Sequence, residues 1–215
     1  MKRFLLYVCI PFTILFTVDT GLYSQESQKV LLYIRDGSGD LDYTLRNEVA
    51  VMKRMLEESG LEVMIATVSG QPLETDSVKV IPDVKMADVE LSRYSGLIIP
   101  CMHAGATEPD PDAIRLVREA VEDEKPVAVQ HAAILILAKA GLIQGRKYTF
   151  HEELDKKQFP EFEASAYSGT GVVKDGDIIT SGVCPYVGML YDMEDGTELL
   201  SQIFIAAVKE KAENS

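Results

Sequence analysis

The most constraining stretch of this chain is one where an apolar run turns into a second apolar run with almost no loop between them: Lys125-Pro126-Val127-Ala128-Val129-Gln130-His131-Ala132-Ala133-Ile134-Leu135-Ile136-Leu137-Ala138. Val127 to Val129 reads as a buried strand and the Ala/Leu/Ile run after His131 as a buried helix. Such a reversal aims its turn residues at the carboxyl end of a sheet, where a helix N-terminus and free backbone N–H groups favour developing negative charge. In hydrolases built this way the turn carries a nucleophile. Here the sequence offers Gln130, whose amide cannot attack, followed by His131.

The same strand-then-helix order repeats along the chain. Val30 to Ile34 is a first strand, ending at the loop Asp36-Gly37-Ser38-Gly39-Asp40. Leu45, Val49, Met52 and Leu56 then recur at helical spacing up to a Gly60 cap. Neither a Rossmann fingerprint nor a Walker lysine accompanies the loop glycines, so a phosphate-binding reading has no support. Leu61 to Val68 is a second strand, and a short edge strand is expected near Val78 to Ile81. Gly96 to Pro100 is a core strand opening onto Cys101-Met102-His103, and a helix follows from Asp110 with Ile114, Val117 and Val121 facing inward. Beyond Gly141 the spacing predicts a short strand over 145–151 carrying His151, a charged helix over Glu152 to Gln158, and a hairpin signalled by Asp175-Gly176. A loop at 182–186 holds Cys184, and a terminal amphipathic helix runs over Thr197 to Lys209. This alternation implies an α/β domain with a mostly parallel sheet, helices on both faces and a site at the carboxyl ends of the strands.

Lys2 and Arg3 ahead of the apolar run Phe4 to Val18, with small residues near Ser24, have the layout of a signal peptide over 1–24, which predicts a secreted or periplasmic protein. The formal charge of −13 argues against nucleic acid or anionic membrane as partner. After removal of the leader with Cys9, Cys101 and Cys184 are the remaining cysteines, and an oxidising compartment permits a disulfide between them.

The strand Val30 to Ile34, Leu97-Ile98-Ile99-Pro100, the approach Lys125-Pro126-Val127-Ala128 to His131, the segment Ala140-Gly141-Leu142-Ile143-Gln144-Gly145-Arg146-Lys147 and the hairpin Asp175-Gly176-Asp177-Ile178-Ile179-Thr180-Ser181 together resemble the ThiJ/PfpI family, also called the DJ-1 superfamily. The resemblance implies a flavodoxin-like three-layer sandwich over residues 29–210, shared with class I glutamine amidotransferases, and a homodimer. Members of the family act through a Cys-His pair at the turn, an acid after the first strand and an oxyanion hole at a Gly-Gly after the third. Carried over, the Cys falls on Gln130, its neighbour on His131, the acid on Gly39 and the Gly-Gly on Cys101-Met102.

Three of four parts altered together imply loss of the family's Cys-dependent hydrolase or deglycase chemistry, because such parts act as a unit. The leading expectation is therefore a pseudo-enzyme without a committed catalytic residue, cofactor or metal. It would bind a small polar ligand in a Gln130-lined open cleft formed with Gly39, Cys101, Met102, His103, His131, His151 and Cys184. Two alternatives stay open. One is rewired chemistry, with Cys101 and His131 as a nucleophile pair or a His/Cys metal site for which zinc is the natural ion; the other is a structural or partner-binding role. A Cys101–Cys184 disulfide would consume both thiols and explain them by stability alone.

Overall fold

A computed structural model describes residues 28–37, 41–101 and 108–214. The main sheet holds β1 (Lys29–Ile34), β2 (Glu62–Thr67), β3 (Val84–Lys85), β4 (Leu97–Ile99), β5 (Val127–Gln130), β6 (Val172–Asp175) and β7 (Ile178–Ser181), in the order β6-β7-β5-β4-β1-β2-β3. All neighbouring pairs are parallel except the β6–β7 hairpin. The central order β2-β1-β4-β5-β7 is that of the flavodoxin-like fold. The expected α/β architecture is present.

The continuous apolar strands bury both faces, and each face sorts by sequence parity. Leu31, Tyr33, Leu97, Ile99, Val127 and Val129 face one layer, where α2 (Pro111–Glu122) and α3 (Ile134–Lys139) cover them. Val30, Leu32, Ile34, Ile98, Ala128 and Ile179 face the other, covered by α1 (residues 41–58) and by α4 (Thr197–Glu213). Truncating one of these fully buried leucines to alanine costs about 2–5 kcal/mol. Gly96, just before β4, is required by close packing. A Cβ there would lie 2.9 Å from the Phe204 ring and 3.0 Å from Val208.

Helix α1 is α-helical over Leu41–Thr44, widens to a π-helical turn at Leu45–Val49 and returns to α-helix over Ala50–Glu58. Helix α2 starts where Asp110 caps it, its carboxylate accepting from the Asp112 N–H at 2.8 Å with Pro111 next. The inward face of α2 is Ala113, Leu116, Val117 and Ala120, with Ile114 and Val121 only half-buried at its margins. That shifts the expected stripe by about one residue, because two alanines let the helix sit close to the sheet.

One expected element is shortened and another is not formed. The strand over 145–151 shrinks to Lys147–Tyr148, paired in parallel with Ala166–Tyr167. Residues 152–158 form bends and turns and not a helix. That segment has a single apolar residue, Leu154, which is buried without needing a helical stripe, and the Asp155 carboxylate accepts from the Lys157 N–H at 2.9 Å, a local turn that competes with helix. The edge near 78–81 is a small hairpin of Leu73–Glu74 with Lys79–Val80.

Candidate active site

Strands β4, β5 and β7 lie side by side and end nearly flush, with Ile99 opposite Val129 and Gln130 opposite Ser181. Cys101 follows the first, His131 the second and Cys184 the third. The central turn is strained at one residue. Gln130 is still extended (φ −100°, ψ 126°), whereas His131 has φ 43°, a left-handed conformation unusual outside glycine. A 3-10 turn, His131–Ala133, leads directly into α3. The apex of the strand-to-helix reversal is thus His131. It lies one residue beyond the position assigned to the nucleophile from sequence, because the strand ladder holds Gln130 in register with Ser181.

Gln130 does not line an open cleft. It is fully buried, and its Nε2 donates to the Val183 carbonyl at 2.6 Å and to the Thr197 hydroxyl at 3.3 Å. Gly196 N–H donates to the same carbonyl at 3.0 Å. Gln130 therefore anchors the backbone immediately before Cys184. Gly182 makes this possible, since a Cβ there would lie 2.6 Å from the Thr170 carbonyl oxygen and 2.9 Å from Phe150 backbone atoms.

The side chains of Cys101, His131 and Cys184 converge, with their sulfur and nitrogen ligand atoms all within 4.8 Å of one another. All three are buried. Cys101 Sγ lies 3.3 Å from His131 Nδ1, and His131 Nε2 lies 2.8 Å from His151 Nδ1. His151 Nε2 is in turn 3.5 Å from the exposed Glu152 carboxylate. The His131 ring stacks on Phe150 with centroids 4.3 Å apart and planes 8° from parallel, which with the backbone strain fixes where Nδ1 points. His151 stacks on Tyr191. Burial, and after it His131, lower the His151 pKa, with Glu152 opposing. Both thiols are free in the structure, so the disulfide that the sequence permits is not formed there.

Two acids surround the thiols. Glu48, in the π-helical turn, accepts a short hydrogen bond from the Cys101 backbone N–H and is 2% exposed. Burial, followed by the charge of Cys184, holds its carboxyl well above the usual range. Asp195 accepts from the Thr197 N–H at 3.0 Å and hydroxyl at 2.7 Å, and burial raises its pKa too. The thiols shift in opposite directions. A hydrogen bond from Cys101 pushes Cys184 down, and that same bond, with burial and Glu48, pushes Cys101 up.

Sequence reasoning nominated Cys101, His131, His151 and Cys184, and the structure brings them together. Gly39, Met102 and His103 lie outside the described residues. Glu48 was missed, although a carboxylate between Leu45 and Val49 on an apolar stripe is a readable signal; Asp195 and Phe150 gave none. Asp36, beside the expected acid position, caps a strand end instead, accepting from the Val68 and Ser69 N–H groups at 3.1 and 3.0 Å.

A doubly wound sheet with a left-handed residue at a strand-to-helix turn, and reactive side chains gathered above it, defines the class of α/β proteins that place chemistry on such an elbow. The chain belongs to the DJ-1/PfpI family, whose model matches residues 28–188. It is 30% identical over 132 residues to an uncharacterized protein of Archaeoglobus fulgidus, covering 59% of this chain and 75% of that one. Among solved structures it resembles DJ-1beta of Drosophila melanogaster, with a TM-score of 0.63 and 20% identity over 87% of this chain and 97% of that one. It also resembles a two-domain protein of Anabaena variabilis with dj-1/thij/pfpi-like and ferritin-like domains, with a TM-score of 0.62 and 20% identity over 87% of this chain. The chain spans 48% of that protein's length. At these identities the structural likenesses speak for the fold.

Proposed function

We propose that this is an exported DJ-1/PfpI-family domain in which a thiolate–imidazole zinc centre, formed by Cys101, His131 and Cys184, has replaced the family's cysteine-at-the-turn chemistry. The observation that carries the reading is the convergence of the three ligand atoms within 4.8 Å of one another at three adjacent strand ends. Tetrahedral zinc with Zn–S near 2.3 Å and Zn–N near 2.0–2.1 Å sets its ligand atoms about 3.5–3.8 Å apart, and the Cys101–His131 contact of 3.3 Å falls close to that.

The surroundings support a cation. Glu48, Asp195 and two thiols share one buried region, and the groups acting on them are each other, His131, the Thr197 hydroxyl, the Glu198 carboxylate and backbone N–H groups. Burial favours the protonated forms of Glu48, Asp195 and Cys101, and a divalent ion beside them would draw off those protons and be held by the anions so formed. Two sulfurs with one imidazole select a soft or borderline metal over magnesium or calcium. His131 is held by His151 on its other nitrogen, the outer bond that metal-binding histidines make.

With three protein ligands the fourth position is left for water or for a small polar ligand, the arrangement of reactive zinc sites. The inherited chemistry is absent because the strained apex, where a thiol would be presented, carries an imidazole pointed at Cys101. The leader-like segment from Lys2 to Val18 supports export.

The test is metal loading under reducing conditions. One equivalent of zinc per chain is expected, and Co²⁺ in its place should give a sulfur-to-metal charge-transfer band with intense visible absorption. Cys101→Ser, Cys184→Ser and His131→Ala should each abolish that spectrum. Substoichiometric zinc in the loaded wild-type chain, together with a fast-reacting thiol, would instead favour a Cys101/His131 nucleophile pair.

A further inference from the structure

The two sulfurs that the zinc reading brings together are packed with Val183 and Val187 in one small apolar nest, where they also face one another directly. We propose that Cys101 and Cys184 are a peroxide-oxidisable dithiol, converted by a hydroperoxide into an intramolecular disulfide, so that the site is controlled by oxidation. The release of metal that accompanies this rests on the zinc reading; the disulfide does not.

The geometry supplies each part. The sulfurs are at most 4.8 Å apart. A disulfide needs about 2.05 Å, so at most about 2.7 Å remains to be closed by side-chain rotation and a small shift of the strand ends. Cys101 is the more reachable thiol, 7% exposed against 1% for Cys184. The bond to Cys184 and burial favour its protonated form, so attack requires removal of that proton, for which His131 Nδ1 lies 3.3 Å away. The remaining ring nitrogens extend a proton route outward, from His131 Nε2 to His151 Nδ1 at 2.8 Å and from His151 Nε2 to the exposed Glu152 at 3.5 Å.

The chemistry balances without another reactant. Cys101 gives its proton to His131 and its sulfur attacks the peroxide; the S–O bond forms, the O–O bond breaks, and the leaving oxygen takes the proton to depart as water or an alcohol. The Cys184 sulfur then attacks the Cys101 sulfenic acid. The S–S bond forms, the S–O bond breaks, and the hydroxyl leaves as water with the Cys184 proton. Two electrons pass from the two sulfurs to the peroxide. A disulfide is no longer a thiolate donor, so two of the three metal ligands are withdrawn at once.

The experiment treats the purified chain with hydrogen peroxide in zinc-loaded and metal-free form, reading intact mass, peptide cross-links and zinc captured by a chromophoric chelator. The expected product is lighter by two hydrogens and cross-linked between Cys101 and Cys184. Zinc should be released in step with it, and dithiothreitol should restore the starting state. Cys184→Ser should stop at a Cys101 sulfenic acid that dimedone traps, a product the wild type does not accumulate. The proposal is overturned if both thiols remain titratable after a peroxide dose that oxidises free cysteine. It is equally overturned if the wild type yields a sulfinic acid, or a cross-link to Cys9 or to a second chain, in place of the Cys101–Cys184 bond. A disulfide in protein that never takes zinc leaves this proposal standing and removes the zinc reading, whereas zinc binding without a disulfide does the reverse.

Discussion

Two of the carboxylates on helix α1, Asp42 and Glu48, lie six residues apart and are treated by the fold in opposite ways. Asp42 sits in the first turn of the helix at the surface. It accepts from the Thr75 hydroxyl at 2.6 Å, from the Ser77 hydroxyl, and from Arg46 Nε at 2.8 Å. Those hydrogen bonds, Ser77 first, lower its pKa to about 2. Glu48 sits on the buried face with one backbone N–H as donor, and burial drives its pKa the other way. The surface carboxyl is held as an anion by donors from the neighbouring hairpin, whereas the buried one beside two thiols is pushed towards its protonated form. The difference separates a tie that holds the fold together from a group kept for the site.

The largest effect should come from loosening the packing that the buried region needs and the surface network does not. Gly182→Ala places a Cβ against the Thr170 carbonyl and the Phe150 backbone, none of which can rotate away. Overpacking of this kind costs about 1–3 kcal/mol, which for a chain of this length lowers Tm by roughly 2–12 °C. Cys184 and His151 move apart with it, so zinc loading should fall in the same variant. Unchanged Tm and loading would mean that the strand ends are more yielding than the comparison requires.

Glu48→Gln tests the buried carboxylate directly. The amide keeps an acceptor for the Cys101 N–H and cannot ionise, and since burial already favours the neutral acid, metal-free stability should hold. Zinc affinity should drop about 10- to 100-fold, as for other outer partners of a metal site. Equal affinity in competition with a chromophoric chelator would reduce Glu48 to a space-filler. His151→Phe keeps an aromatic ring against Tyr191 and deletes the partner of His131 Nε2. Its expected loss is toward the lower end of that range, about 10-fold.

The fold was legible because parallel strands buried on both faces must be apolar throughout, and Val30 to Ile34, Gly96 to Pro100 and Val127 to Val129 have that form with helical spacing between them. The missing helix at 152–158 shows the limit of the method: charge and length alone do not make a helix without a face to bury. The site was half legible. Cys101, His131, His151 and Cys184 could be nominated by chemistry and by their places after strands. Which residue occupies the apex could not, because Gln130 and His131 are adjacent and only the register of Gln130 on Ser181 decides between them. Glu48 enters the site through a π-helical turn and a contact to Cys101 across 53 residues of sequence. Asp195 enters through a loop whose position depends on Gln130 holding Val183.

The smallest effect belongs to the surface side of the comparison, and its sign is fixed by the direction of the Asp42 shift. The folded carboxyl ionises at about 2, below its ordinary 3.8. Ionised Asp42 therefore contributes stability that is fully present above about pH 3.8 and is lost as pH falls through about 2. Asp42→Asn removes the charge while leaving an oxygen for Thr75 or Ser77. The two proteins should differ slightly in Tm at neutral pH, and the gap should narrow through the acid range until the curves meet near pH 2. The gap should also shrink with added salt, because the carboxylate is solvent-exposed and part of its stabilisation comes from Arg46. A gap that persists below pH 2 would assign the effect to hydrogen-bond geometry and not to charge. The same pair should leave zinc loading untouched, since the Asp42 network reaches the 73–80 hairpin and not the strand ends that carry the thiols.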